Sequence, residues 1–394
     1  MPSESEADLP QSGENRASYR VMIVAGEASG DLHGSYLVRA MKEINPSLSF
    51  YGIGGEKMRE EGVRLLAESS DLAVMGLIEV FSRLKFILGV LNRSKKSFET
   101  ERPDLIVLID YPGFNLALAK AAKKKGIRVF YYISPKVWAW RKGRIKTIRR
   151  VVDRMALILP FEEDLYRQAG VRATFVGHPL LDEIAMTGTA GEIRDDLGLG
   201  AEKRTVALLP GSRESEIRQL LPEMVRAAKI LANRFASSLQ FVLPMAHTLP
   251  PELIKGIVEP SGMTVHLVAG RTYDVLSVSD AVIVASGTAT LETALLVKPM
   301  VIVYKVSPLT FFLGKRVIRV KHVGLANIIA GRTVVPELIQ QDFTAERVAD
   351  EVTRILTDPD VRTRMIKDLS EIRKSLGEAG ASRRAARLAC DMLI

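Results

Sequence analysis

One cysteine stands among 394 residues. A lone Cys390 excludes an intramolecular disulfide and any metal site built from several thiolates, and it sets a reducing, cytoplasmic environment as the expectation. The five histidines, His33, His178, His247, His266 and His322, show no metal-ligand spacing, so no metal is expected; no other cofactor is expected either. No stretch approaches the ~20 uninterrupted apolar residues of a spanning helix. Residues 1–18 are rich in Ser and Glu and lack the basic start and apolar run of a signal peptide, so they read as a disordered tail. No recognisable nucleic-acid module is present.

What remains is an ordinary globular composition, 47% hydrophobic and 26% charged, in a chain long enough for two domains. The net charge of +9 points to polyanionic partners: phosphates, nucleic acid or anionic lipid. Short apolar runs alternate with amphipathic stretches. Arg20–Ala25, Asp104–Ile109, Ile127–Ile133 and Met155–Leu159 read as buried strands, and helices are expected over Leu32–Ile44, Leu116–Lys125 and Phe161–Ala169. After a polar stretch at Thr187–Lys203 the rhythm restarts, with strands at Thr205–Leu209, Leu239–Leu243, Thr264–Val268, Ala281–Val284 and Met300–Tyr304. The expected fold is α/β: two Rossmann-like, doubly wound domains over residues 19–197 and 198–343, facing a cleft, then a helical segment over 344–394. Ligands in such folds bind beyond the carboxyl ends of the strands.

Five segments at those ends are candidates for chemistry. Ala25-Gly26-Glu27-Ala28-Ser29-Gly30-Asp31 follows the first strand but is neither the dinucleotide fingerprint nor a Walker loop. Asp31 there suits an N-cap as well as ligand contact. Asp110, ending an apolar strand, suits a general base toward an alcohol or an Asx-type turn. Ser134–Arg144 holds both tryptophans, Trp138 and Trp140, among cations that include Arg141. That mixture suits a sugar phosphate or a nucleic-acid strand. Pro210-Gly211-Ser212-Arg213 opens a helix and converges backbone N–H groups with a guanidinium, as a phosphate site requires. Ser286-Gly287-Thr288-Ala289-Thr290-Leu291-Glu292 admits a diphosphate against a helix N-terminus, with Glu292 able to accept from ribose hydroxyls. The alternative is a buried capping network.

Leu72–Leu91 is apolar beyond what one core-facing stripe needs and is followed by Arg93, Lys95 and Lys96. Its composition suits either a helix packed on its own sheet or one lying in the headgroup region of an anionic membrane.

In order along residues 20–340, these segments resemble lipid-A-disaccharide synthase, a glycosyltransferase family of the GT-B architecture. The matching stretches are Ala25–Asp31, Met75-Gly76 with Glu79-Val80, Asp110–Asn115, Pro135–Gly143, Leu159–Glu162, Val176–Leu180, Leu208–Glu216, Ser286–Glu292, and Asn327–Gly331 with Pro336–Leu338. The resemblance implies an inverting, metal-independent transfer from UDP-2,3-diacylglucosamine to 2,3-diacylglucosamine 1-phosphate. The products would be a β(1→6) disaccharide 1-phosphate and UDP, in lipid A and lipopolysaccharide biosynthesis. It implies Asp110 as base, with Glu27 in the matching N-terminal loop. Ser212, Arg213, Ser286, Gly287, Thr288, Glu292, Asn327, Trp138 and Arg141 would contact substrate. Some relatives carry a second acid where this chain has Gly113, so Asp110 must serve alone; the usual Leu-Pro-Asn is here Leu325-Ala326-Asn327. Both substrates being lipids, the family reading favours membrane contact through Leu77, Phe81 and Leu84, on the cytoplasmic face of the inner membrane. No specific nucleic-acid partner is expected, and a homodimer is compatible with the reading. A sugar-nucleotide epimerase on the same fold is the neighbouring alternative, and a basic nucleic-acid binder using Trp138–Arg154 is the distant one.

Overall fold

A computed structural model describes residues 18–72, 77–139, 143–247, 249–306 and 322–393. The tail at 1–17 and, within the Ser134–Arg144 segment, Trp140 and Arg141 therefore lie outside the described residues.

The described chain builds two all-parallel sheets. The first holds β1 (Tyr19–Ala25), β2 (Leu48–Gly54), β3 (Arg64–Glu68), β4 (Leu105–Ile109), β5 (Arg128–Tyr132), β6 (Arg154–Leu157) and β7 (Ala173–Phe175), in the order β3-β2-β1-β4-β5-β6-β7. The second holds β8 (Arg204–Leu209), β9 (Leu239–Met245), β10 (Val265–Ala269), β11 (Ala281–Ala285), β12 (Met300–Tyr304) and β13 (Glu337–Ile339), in the order β10-β9-β8-β11-β12-β13. Both central strand pairs, β1 with β4 and β8 with β11, are points where the winding reverses. Such reversals open a crevice at the strand ends.

Near-continuous apolar strands form because helices cover both sheet faces. In β1, Met22 and Val24 enter one core, while Val21, Ile23 and Ala25 enter the other. β4 repeats the division, with Ile106 and Leu108 on one face and Leu105, Val107 and Ile109 on the other. Strands β2, β3, β7 and β13 were not anticipated from sequence. β3 and β7 are edge strands of half-buried residues, β13 is three residues long, and β2 carries Ser49, Gly52 and Gly54, which break the apolar run.

The polar stretch after residue 187 holds a helix, Ala190–Asp196, capped by Thr189 through a reciprocal pair with Glu192. Leu180, Ile193 and Leu199 lie in the second domain's core, so the chain passes from one core to the other at the Gly177-His178-Pro179 corner. His178 is buried there, its Nδ1 accepting from the Leu180 N–H at 3.2 Å, and burial pushes its imidazole down to about 3. It is a neutral structural corner.

The C-terminal helices divide between the halves. Ala345–Thr357 and Pro359–Ser375 pack on the second sheet, whereas Ala385, Ala386 and Ala389 of the last helix, Ala381–Cys390, join the first domain's core. The chain end thereby straps the two domains together. Among the described residues no helix is long and apolar enough to cross a membrane.

Candidate functional site

A cavity of about 990 Å³ opens between the two reversal points. The first domain contributes Glu27, Ser29, Asp110, Lys136, Trp138 and Ala139. The second contributes Gly211, Ser212, Arg213, Ser286, Gly287, Thr288 and Glu292, with His322 and Val323 at one side.

Asp110 reaches the cavity through an unusual backbone turn. Asp110 and Tyr111 adopt left-handed conformations in succession, with φ of 41° and 43°, directly before Pro112. Each such non-glycine residue costs roughly 1–3 kcal/mol, so surrounding contacts must hold it. Buried Asn115 does so by donating through Nδ2 to the Ile109 carbonyl at 3.0 Å and to the Asp110 carbonyl at 2.8 Å. The Tyr131 hydroxyl donates to that same Asp110 carbonyl. Tyr111 donates from its hydroxyl to the Leu72 carbonyl at 3.0 Å, and its ring lies against Gly26. A Cβ on residue 26 would meet that ring at 2.4 Å, which is why the loop after β1 needs glycine there. Burial pushes the Asp110 carboxyl from 3.8 up to about 6; Lys136 pulls it down, Glu27 pushes it up, and the Tyr111 N–H and His33 pull it down. A carboxylate so poised is a stronger base than one in water and remains ionised at neutral pH.

Across the cavity, β11 delivers Ser286 and Gly287 to the start of the helix Thr288–Leu295, whose first N–H groups face the space. Ser286 donates from its hydroxyl to the Val323 carbonyl at 3.2 Å. Glu292, one turn on, accepts from the Tyr273 hydroxyl at 3.2 Å, and burial raises its carboxyl. At the other half of this crevice the Ser212 and Arg213 N–H groups both reach Glu216 Oε2, at 3.1 and 3.3 Å, and Arg213 pairs with Glu216 Oε1 at 2.9 Å. These N–H groups are therefore not open: Glu216, which caps this helix, occupies the position an anion would take. Gly211 has φ of 113°, and a Cβ there would strike Glu216 at 2.3 Å. The Arg213–Glu216 pair is exposed on the arginine side and so worth little, which leaves the guanidinium available to a stronger phosphate partner.

Two sequence expectations need adjustment. Asn327 does not line the cavity. It is fully buried, accepting from the Val334 and Val335 N–H groups at 2.7 and 3.0 Å and donating to the Val335 carbonyl and Glu337. It braces the loop behind Leu325 and Ile328, which do line the cavity. Asp31 is neither a ligand contact nor the cap of its own helix. Buried, it accepts from the N–H groups of Gly55, Lys57 and Met58 and so caps the neighbouring helix Glu56–Glu60. Leu77, Phe81 and Leu84 do lie on one continuous helix, Leu77–Thr100; Leu84 is 43% exposed, while the side chains of Leu77 and Phe81 lie outside the described set. Sequence reasoning missed Lys136 and His322 as cavity residues. Lys136 was visible only as one cation in a basic segment, and no spacing marked it.

Comparisons with known proteins agree with one another. The profile of the family described as lipid-A-disaccharide synthetase matches residues 21–391. The chain is 54% identical to the lipid-A-disaccharide synthase of Syntrophus aciditrophicus, covering 95% of this chain and 97% of that one. It is 48% identical to the synthase of Geobacter sulfurreducens, over 95% and 98%. Among solved structures, the glycosyltransferase of kitacinnamycin aligns with a TM-score of 0.64 at 16% identity, over 96% of this chain and 100% of that one. The UDP-GlcNAc 2-epimerase from Neisseria meningitidis bound to UDP-GlcNAc aligns at 0.60 and 12%, over 95% and 99%. These two share the two-domain GT-B fold with this chain.

Proposed function

The chain belongs to the lipid-A-disaccharide synthase family, and from that premise we propose how its cleft carries out the glycosyl transfer. The substrates are a UDP-sugar donor and a lipid acceptor, and the finer assignment is UDP-2,3-diacylglucosamine and 2,3-diacylglucosamine 1-phosphate. Asp110 removes the proton from the acceptor hydroxyl as that oxygen attacks the anomeric carbon. The bond from that carbon to the diphosphate breaks on the opposite face, inverting the configuration, and UDP leaves with the electron pair.

The observation that carries this reading is the opposition of two sites across one cavity. A strained, burial-raised carboxylate stands on one side; a guanidinium and a helix N-terminus stand on the other. Charge developing on the leaving diphosphate is met by Arg213 and by the N–H groups at Gly287–Ala289. A helix terminus contributes about 0.3–1 kcal/mol to an anion. A charge-assisted arginine bond contributes about 1.5–3 kcal/mol, so Arg213 dominates. Glu292 receives the ribose hydroxyls, and Trp138 offers an indole edge at the sugar. Glu27 stands beside Asp110, close enough to raise its carboxyl, and helps orient the acceptor.

Membrane contact belongs to the same proposal. On the helix Leu77–Thr100, positions 77, 81, 84, 88 and 95 fall on one face by helical spacing. Leu84 and Leu88 are 43% and 47% exposed, and Lys95 continues their stripe into a groove of about 640 Å³ beside the Asp110 turn. That groove is lined by Lys95, Lys120, Lys124 and Arg144 with Pro112 and Gly113, with no acid among the described residues that line it. Apolar side chains followed by clustered cations suit a surface of anionic lipid headgroups.

The test is product analysis with both diacylated substrates. A disaccharide phosphate and UDP, formed only when acceptor is present and lost in Asp110→Ala with the fold intact, supports the reading. Full activity of Asp110→Ala removes Asp110 from the mechanism.

A further inference from the structure

The loop after β5 supplies two cavity side chains, Lys136 and Trp138, and one buried acid lies behind both. Glu162, the second residue of the helix Phe161–Gln168, is 1% exposed. Its Oε1 accepts from the Ser134 hydroxyl at 2.7 Å and from Trp138 Nε1–H at 2.9 Å. Among the described residues its Oε2 is buried with no hydrogen-bond partner. A single oxygen thus ties together positions 134 and 138, with Lys136 midway between them. The same helix supports the rest of the loop: Tyr166 donates from its hydroxyl to the Pro135 carbonyl at 3.2 Å, and the Phe161 ring meets Trp138 edge-on, centroids 5.3 Å apart.

Packing alone does not require an acid here. A buried carboxylate carries a desolvation cost that an apolar side chain of similar size avoids, and an unpaired buried oxygen adds to it. Burial accordingly pushes the Glu162 carboxyl up to about 7, against the pull of Ser134, Trp138 and Lys136. What the acid provides is an acceptor able to take two donors from one loop. We propose that Glu162 is a positioning residue of the transfer reaction, whose shared oxygen fixes Lys136 and Trp138 against Asp110 and the reacting sugars. The groups acting on Asp110 are Lys136 and His33, which lower its carboxyl, and Glu27, which raises it; Asp110 in turn raises Glu162 and Tyr131. Burial acts most strongly on Asp110 and Lys136 is the strongest of the charged groups acting on it, so displacing Lys136 should let the carboxyl rise further. This inference rests on Asp110 being the base.

The experiment compares Glu162→Gln with Glu162→Leu in the full chain, each in a Trp140→Phe background so that Trp138 is the only fluorophore of its kind. Glutamine keeps the Oε1 acceptor and should hold kcat within about threefold of the parent. Leucine removes it and should lower kcat about 30-fold or more, with donor KM changed less than about threefold. In the leucine variant the acid limb of kcat/KM should move to higher pH, because Lys136 no longer holds Asp110 down, and Trp138 emission should shift. A purely structural role predicts instead a lower Tm with kcat, acid limb and emission of the folded protein unchanged, and that result overturns the proposal. If Glu162→Leu does not fold, Trp138→Phe removes one donor while keeping a ring and should produce the same displacement of the acid limb; an unmoved limb is again contrary. An active Asp110→Asn overturns the base assignment separately, while the emission difference between the glutamine and leucine variants still reports on the loop.

Discussion

Replacing Asp110 with asparagine tests whether the cleft pays for its base in stability. Asparagine keeps the size, keeps an oxygen acceptor and tolerates the left-handed backbone at φ 41°. In the wild type, raising the carboxyl from 3.8 to about 6 disfavours its ionised form in the folded state. Well below pH 3.8 the group is protonated in folded and unfolded chains alike, and the difference vanishes. As pH rises from about 4 to 6 the unfolded chain loses its proton first, and the folded state is destabilised progressively until both are ionised. The full difference corresponds to roughly 3 kcal/mol, and screening by cavity water leaves roughly 1–2 kcal/mol. Asp110→Asn should therefore be more stable than wild type at pH 8 by about that amount and equal to it near pH 3.5. For a domain of this size that is a rise in Tm of roughly 2–8 °C. Thermal denaturation followed by circular dichroism at the two pH values, beside a UDP-release assay, reads both quantities. A variant that is inactive but no more stable at pH 8 would refute the desolvated-base argument.

Wild-type kcat/KM should fall as pH drops through about 6, as Asp110 takes up its proton; a profile flat to pH 5 contradicts this. Arg213→Ala should weaken UDP binding about 10- to 100-fold by calorimetry, with little change in Tm because its pair with Glu216 is exposed. Asn327→Ala should cost about 2–3 kcal/mol in denaturant titrations by stranding the Val334 and Val335 N–H groups, with activity lost only as the loop behind Leu325 loosens. Leu84→Glu with Leu88→Glu should reduce co-sedimentation with vesicles containing anionic phospholipid, and Lys95→Glu should make the residual binding less sensitive to salt. Unchanged binding in all three returns this helix to a purely internal role.

Much of the fold was legible because parallel strands buried on both faces leave continuous apolar runs, as Ile23 with its neighbours and Leu105–Ile109 do. Three of the four strands that escaped were edges, such as Arg64–Glu68 and Ala173–Phe175, whose half-exposed residues carry no such signature; the fourth, Leu48–Gly54, is interior but broken by Ser49, Gly52 and Gly54. The site residues at strand ends, Asp110 and Ser286–Glu292, were legible from position. Residues whose role depends on contacts between distant segments were not. Asp31 caps a helix 25 residues further along the chain, where sequence offered only its own helix or a ligand, and Asn327 holds a loop with its amide where the family resemblance implied substrate contact. Glu162 appeared as one acid in a helix's first turn; only folding brings Ser134 and Trp138 to the same oxygen.

The central claim is that two opposed sites in one cavity perform an acceptor-dependent transfer, and UDP release from the diacylated UDP-sugar measures it most directly. UDP should appear only when the diacylated acceptor phosphate is added, one equivalent for each disaccharide formed. UDP release without acceptor, or conversion of the donor to an isomeric UDP-sugar, would contradict the account.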